Sequence, residues 1–387
     1  MPMLAELVDA VVGVDTHRDT HEVELALPTG TAIGTRKISN DSSGFAELLA
    51  WIVDRAPGPR VVVSIEGTRS FGVGLARAVA AAGLLVIECE QPNRKARRGK
   101  GKSDPIDAHL AVLAALRLDA DRLPVPRADG DREALRILLG TRQELTVVNT
   151  AQTNRLRALL LGGGDTERDL ARATLTDPVL LALARRREPP QASREQAVRH
   201  GEIRRLAHAI RAGRHALAAN RAQLQTIVDQ IAPGLTERRG IGAVTAAQAI
   251  VSFSHPGRCR SDAAFAALSG TSPLQASSGK TVRHRLNRGG DRALNSAIHT
   301  IAITRMRCCP TTKQYVARRT AEGKSSREIQ RCLKRYIARE LHAPSTPALR
   351  SPLRRCRLRR PLDKHRSVRR LGVRIPPGAQ CDVSGHR

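Results

Sequence analysis

Residues 11–39 read VVGVDTHRDTHEVELALPTGTAIGTRKIS. Three runs within them, VVGVDTH, HEVELALP and TAIGTRKIS, are short, rich in β-branched residues and separated by turn residues, so they predict three strands. A helix pattern follows in GFAELLAWIVDRA (44–56), then the apolar run RVVVSIEG (60–67), a helix in GVGLARAVAAAG (72–83) and a strand in LLVIECE (84–90). The segment DPIDAHLAVLAALRL (104–118) closes the series as a helix. Three strands, a helix, then strand, helix, strand, helix define an α/β layer built on a mixed sheet.

Beyond residue 125 the pattern turns helical. Ile203, Leu206, Ile210, Leu217, Leu224, Ile227 and Ile231 fall on one 3-4 heptad register, interrupted by Gly213 and Asn220. This predicts a coiled-coil arm, whose partner is either the preceding ALRILLGTRQELTVVNTAQTNRLRALLLGGG, antiparallel in the same chain, or a second protomer. Residues 162–192 are read as the connection. A third unit opens with ERRGIGAVTAAQAIV, a Gly-x-Gly turn entering a helix, and continues with helices in DRALNSAIHTIAITRM and SREIQRCLKRYIAREL. The expected divisions are therefore 1–125 for the α/β domain, 126–232 for the arm, 233–343 for a mainly α C-terminal domain and 344–387 for a tail. The tail carries 12 basic and two acidic residues with little to bury, and is expected to be disordered.

The 387 residues include 65 Lys and Arg against 36 Asp and Glu, a formal charge of +29 that points to a polyanionic partner. Nucleic acid is the first candidate. A membrane is set aside because no stretch approaches the roughly 18 apolar residues of a spanning helix. The acidic N-terminus lacks the basic start of a signal peptide, so a cytoplasmic protein is expected. Seven cysteines without C-x-x-C spacing read as reduced thiols. Aromatic residues make up 2% of the chain, which argues for backbone and shape contacts over stacking on bases.

Carboxylates occupy positions suited to chemistry. Asp15 and Glu66 each end a strand pattern, where sites in such sheets are assembled, although a carboxylate leaving the core at a turn is the plainer explanation of either alone. Asp104 and Asp107 share one face at a helix start. Capping by Ser103 or Asp104, with Pro105 in the first turn, accounts for one of these aspartates and less well for the pair. Four clustered carboxylates repel one another unless a cation neutralises them, and Mg2+ with its preference for oxygen ligands suits that role at a phosphodiester. The basic segment NRKARRGKGK, with Arg94, Lys95, Arg97, Arg98, Lys100 and Lys102, would bring phosphate to the acids. In RRGIGAVTAAQ, Gly240 and Gly242 suggest a helix-hairpin-helix-like element whose amides meet phosphate, with a plain helix start as the even alternative. The histidines, His17 and His109 among them, show no metal-ligand spacing and are expected to be solvated.

Taken in order, GVDTHRDTH, SIEGT, KSDPIDA, GIGAVTAAQAI, AFAALSGTSPLQASSGK and RGGDRAL resemble the DEDD-type insertion-sequence transposases, the bacterial family numbered one-ten. The resemblance spans roughly residues 10–342. It implies a RuvC-like, RNase H-type domain followed by a second transposase domain. It also implies a recombinase that excises and inserts its own element in donor and target DNA, guided by an RNA that the element encodes. Asp15, Glu66, Asp104 and Asp107 take the places of the family's magnesium ligands. Ser278 takes that of its nucleophile, with Ser277 beside it as the alternative, and Lys280 falls in the same motif as a nucleic-acid contact. Dimers assembling into tetramers on DNA, in a nucleoid-associated protein, are further implications. The family's chains are expected to end near IARELHAP, so the tail departs from the pattern. Two other readings stay open: a RuvC-like structure-specific endonuclease that uses the acids without the serine, and a non-catalytic nucleic-acid-binding protein.

Overall fold

A computed structural model of the chain describes residues 2–89, 104–120, 123–126, 130–187, 190–254, 258–259, 261–275, 284–285, 287 and 289–342. The tail lies outside these residues. The described chain forms two compact units, which meet in sequence at residue 130.

The first unit is a five-stranded sheet flanked by helices. Strands β1 (Ala10–Thr16), β2 (Thr20–Ala26) and β3 (Ala32–Ser39) are followed by helix α1 (Ser42–Arg55), β4 (Val61–Glu66), α2 (Val73–Ala81), β5 (Leu85–Cys89) and α3 (Asp104–Leu116). The order across the sheet is β3-β2-β1-β4-β5. The β1–β2 and β2–β3 pairs are antiparallel, while β1–β4 and β4–β5 are parallel. The expected mixed sheet is present, with each of the five strands falling on a run read from the sequence.

Alternation along the strands sends successive side chains to opposite faces. Val12, Val14, Val63 and Ile65 pack on one face with Leu48 and Ile52 of α1 and Leu75 and Val79 of α2. Val11, Val62 and Ile87 pack on the other with Val112 and Ala115 of α3. Both faces of β1 and β4 are thus covered, which is why these strands read as nearly continuous apolar runs. Asp41 starts α1 as its N-cap, accepting from the amides of Ser43 and Gly44. These bonds and those from the Ser43 and Ser39 hydroxyls hold its carboxyl down at about 2.

The second unit is helical apart from a short hairpin. Helices α4 (Gly130–Leu161) and α7 (Arg194–Ile231) run antiparallel within one chain, joined through α5 (Asp165–Arg172) and α6 (Asp177–Arg185). The pairing is fixed by Asn220 Nδ2, which donates to the Leu138 carbonyl at 2.9 Å, and by Arg142 Nη1, which donates to the Leu217 carbonyl at 3.1 Å. Gly213 faces Asn149, as the antiparallel sense requires. The two interruptions of the heptad register are therefore contacts, with Asn220 only 5% exposed.

The stretch read as a connection, 162–192, contains α5 and α6. Leu175, Leu180 and Leu183 join Leu156, Leu160, Ile203, Leu206 and Ile210 in a core of their own at the far end of the pair. At the near end Leu135, Leu224 and Val228 belong to the core of the C-terminal helices. Those helices are α8 (Ala243–Phe253), α9 (Asp262–Leu268), α10 (Arg292–Cys308), α11 (Pro310–Ala321) and α12 (Ser326–His342), with the hairpin β6 (Leu274–Gln275) and β7 (His284–Arg285) between α9 and α10. Arg305 of α10 clamps Glu340 of α12 with two bonds, 2.7 and 3.1 Å, and donates a third at 2.7 Å to the Arg239 carbonyl. Among the described residues no helix is long and apolar enough to cross a membrane.

Candidate active site

Asp15 is the penultimate residue of β1 and Glu66 the last of β4. The parallel register runs from Ala10↔Val61 to Val14↔Ile65, so its next step sets Asp15 beside Glu66. Alternation places Asp15 on the face of Val11 and Glu66 on the face of Val62, and these two valines are the ones that pack against α3. The Thr16 hydroxyl donates to the Glu66 carbonyl at 2.9 Å, tying the two strand ends together.

Helix α3 reaches this face at Gly13. A Cβ there would lie 2.2 Å from the Ala108 carbonyl oxygen and 2.7 Å from Val112 Cγ2, so only glycine admits the helix so close. Asp107, next to Ala108 in sequence, is 7% exposed, as is Asp15. Asp104 begins α3 one turn earlier; its backbone is placed, and its side chain lies outside the described residues. The sheet and α3 thus bring the segments bearing Asp15, Glu66 and Asp107 to one end of one face.

Two further acids share that face. Glu22 pairs across the ladder with Asp15, and Glu24 pairs with Gly13. Glu22 meets Lys37 Nζ at 3.2 Å, and the buried Glu24 meets His109 Nδ1 at 2.6 Å. Sequence reasoning did not single them out, although in HEVELALP they alternate with Val23 and Leu25, which places them on the other face of the sheet, where α3 packs.

The histidines expected to be solvated are not uniformly so. His109 is held by Glu24, and His17 Nε2 stands 3.3 Å from Asp15 Oδ2. His21 is fully buried, stacked parallel to Phe45 at 6.2 Å between ring centroids, because it alternates in phase with Val23 and Leu25. Burial pulls its pKa below the ordinary histidine value, which keeps the ring neutral.

The donor set at the strand ends is made of carboxylate oxygens, which suits a hard divalent cation. Among the described residues no three His, Cys, Asp or Glu side chains converge as a complete metal set. The set read from the sequence includes the Asp104 side chain, which those residues do not contain.

The remaining sequence candidates fall into two groups. Arg94, Lys95, Arg97, Arg98, Lys100, Lys102, Ser277, Ser278 and Lys280 lie outside the described residues. The chain segment holding both serines joins β6 to β7, whose register is Leu274↔Arg285 and Gln275↔His284. Gly240 and Gly242 are described. Gly240 adopts φ +82°, and a Cβ there would press to 3.0 Å from Arg305 Cγ. Gly242 is the N-cap of α8 without a side-chain cap, and the helix start opens on a cleft of about 430 Å3 lined in part by Arg142, Arg221, Arg238 and Arg239. The Gly242 amide donates to Thr245 Oγ1 at 3.0 Å and Glu237 shares the lining, so it is the excess of arginines in this cleft that suits an anion.

Near this turn, Cys309 precedes α11. Hydrogen bonding from Thr311, at 3.1 Å from its sulfur, and from Thr312 holds the thiol down at about 7. Cys309 is therefore expected to be alkylated by iodoacetamide with a rate that rises through pH 7 and levels off by roughly pH 8, because the thiolate is the nucleophile. Peptide mass mapping across pH checks this, and a rate still climbing steeply above pH 8.5 would contradict it.

A mixed sheet with acids gathered at adjacent strand ends, followed by a helical unit with arginines at a helix start, is an arrangement suited to phosphoryl transfer on nucleic acid. Residues 12–163 match the family model of DEDD-type IS110 transposases, and residues 233–317 match that of the transposase IS116/IS110/IS902 family. The chain belongs to this family of transposases and is a DNA transposase, or recombinase. It is similar to the insertion element IS110 uncharacterized 43.6 kDa protein of Streptomyces coelicolor, at 23% identity over 83% of this chain and 90% of that protein.

Proposed function

We propose that the protein excises and inserts an insertion sequence through a RuvC-like domain, with Asp15, Glu66, Asp104 and Asp107 holding Mg2+ and Ser278 attacking DNA. The observation that carries this reading is the meeting of Asp15, Glu66 and α3 at one end of the sheet, with Gly13 reserved for the helix's approach. When bound, the ion would lower the pKa of a coordinated hydroxyl and stabilise charge on the leaving oxygen.

The residues of the chain supply the rest. The Ser278 hydroxyl oxygen attacks a phosphodiester phosphorus, and the scissile P–O bond breaks to release a DNA hydroxyl and leave a serine phosphodiester. A hydroxyl from the second DNA then attacks that ester and frees the serine. Thr16 holds the Asp15 and Glu66 strand ends together, while the basic segment 93–102 and the Gly240–Gly242 turn hold backbone phosphates. An element-encoded guide RNA pairs with donor and target, and dimers join as tetramers on DNA so that strands from two duplexes exchange. The protein works in the cytoplasm at the nucleoid.

Recombination of paired donor and target DNA, with Mg2+ and co-purified RNA, tests this reading. Asp104→Asn and Ser278→Ala are both expected to abolish recombination, and denaturing gels are expected to trap a protein–DNA adduct only when the serine is present. Full recombination in Ser278→Ala would remove the serine mechanism; cleavage without strand transfer in that variant would leave a structure-specific nuclease.

A further inference from the structure

A cavity of about 260 Å3 lies in the helical unit between the β6–β7 hairpin, the Gly270 turn and α12. Five of its lining residues are cations: Arg285 of β7 and Arg331, Lys334, Arg335 and Arg339 of α12. Among the described residues no carboxylate lines it. Asp262, nearby, takes Nη2 of Arg335 at 3.1 Å and Nε of Arg339 at 3.0 Å, so one negative charge serves two arginines.

The cluster is arranged against its own repulsion. Arg331, Arg335 and Arg339 follow one another at i, i+4, the spacing at which like charges destabilise a helix. Among the described residues the buried Nη1 of Arg335 meets no acceptor, an unmet donor of the most expensive kind. Lys334 is partly buried, and burial pulls its pKa below the ordinary lysine value. Its Nζ donates to Asn295 Oδ1 at 2.6 Å, and Asn295 is itself fixed by donating to the Ser269 carbonyl at 2.7 Å. Among the described residues Lys334 meets no carboxylate, which leaves further donor capacity on its ammonium. Tyr336, 55% exposed, adds an aromatic face to the same wall.

We propose that this cavity is a phosphate-binding site for the DNA strand under attack, with Lys334 and Arg331 as its principal contacts. Four arginines and a lysine lining one small cavity supply the positive charge that a phosphodiester requires. The position matches as well, since Pro273 and Arg285, which line the cavity, stand in sequence on either side of the segment that carries Ser277 and Ser278. Assignment to the attacked strand rests on the serine reading above; binding of a nucleic-acid phosphate does not.

Two measurements on the full chain with its co-purified RNA separate these points. In the first, Lys334→Gln, which keeps a donor for Asn295, is expected to slow adduct formation at saturating DNA by about 10-fold or more. Duplex affinity is expected to change by less than about 3-fold, since many other cations hold the backbone. Lys334→Arg is expected to restore most of the rate. In the second, acylation of Lys334 by a water-soluble succinimidyl ester, read by mass spectrometry, is expected to be blocked by a short single-stranded DNA oligonucleotide in both the parent protein and Ser278→Ala. Wild-type adduct rates in Lys334→Gln, or Lys334 acylation unaffected by the oligonucleotide, would overturn the proposal. Protection by an RNA oligonucleotide alone would overturn the assignment to DNA. Absence of any adduct in the parent protein would sink the serine reading, and the acylation experiment would then decide the phosphate site by itself.

Discussion

Asp15→Asn is expected to lower DNA cleavage and adduct formation by about 100-fold or more, on the scale of several kcal/mol of lost transition-state charge stabilisation. The substitution is isosteric; it relieves like-charge repulsion on that face and weakens the 3.3 Å contact with His17, so the melting temperature without metal is expected to change little. Asp15 is 7% exposed at a strand end whose neighbours on the same face are Glu22 and Glu66, so the loss is local to the site. A ligand that binds the folded state stabilises it. Added Mg2+ is accordingly expected to raise the melting temperature of the parent protein and to have a smaller effect on Asp15→Asn. Cleavage at parental rate in Asp15→Asn would remove this residue from the metal set.

Gly13→Ala is expected to damage both stability and activity, through a single methyl group. The added Cβ would meet the Ala108 carbonyl oxygen at 2.2 Å and the Val112 amide nitrogen at 2.8 Å. These are backbone atoms, so no rotamer change relieves the contact, and α3 must move off β1. Overpacking of this kind costs about 1–3 kcal/mol. For a chain of this size unfolding as one unit the melting temperature should drop by about 1 °C for each kcal/mol. Activity is expected to fall further than stability explains, because displacing α3 carries Asp107 and Asp104 away from Asp15, and a misplacement of ~1 Å can cost about 100-fold. Measuring adduct formation well below the melting transition separates the two effects. Parental stability and rate in Gly13→Ala would show that α3 does not dock on β1 at Gly13.

Much of the first unit was legible because its signals are local. VVGVDTH, HEVELALP, TAIGTRKIS, RVVVSIEG and LLVIECE each alternate or run apolar within a few residues, and each became a strand. The helices α1, α2 and α3 likewise announced themselves through spacing and, for α3, through Pro105 at its first turn. The connection 162–192 was opaque for the opposite reason. Helices of eight and nine residues are marginal alone, and α5 and α6 exist because Ala171 of α5 and Leu180 and Leu183 of α6 find the far end of the α4–α7 pair. Gly213 and Asn220 looked like faults in a heptad until their partners, Asn149 and the Leu138 carbonyl, were in place.

The same division runs through the site. By itself the sequence determined which acids end strands and which open a helix, since strand periodicity and helix-start chemistry are properties of neighbours along the chain. Only the tertiary structure decided what stands beside them. The register of β1 against β2 and β4 set Glu22 and Glu66 next to Asp15, and the docking of α3 at Gly13 gave Asp107 its place and Glu24 its histidine. The cationic cavity arose in the same way, from the meeting of α12 with a hairpin some 50 residues earlier in the chain. Registers and docking distances depend on contacts between residues far apart in sequence, and no local pattern carries them.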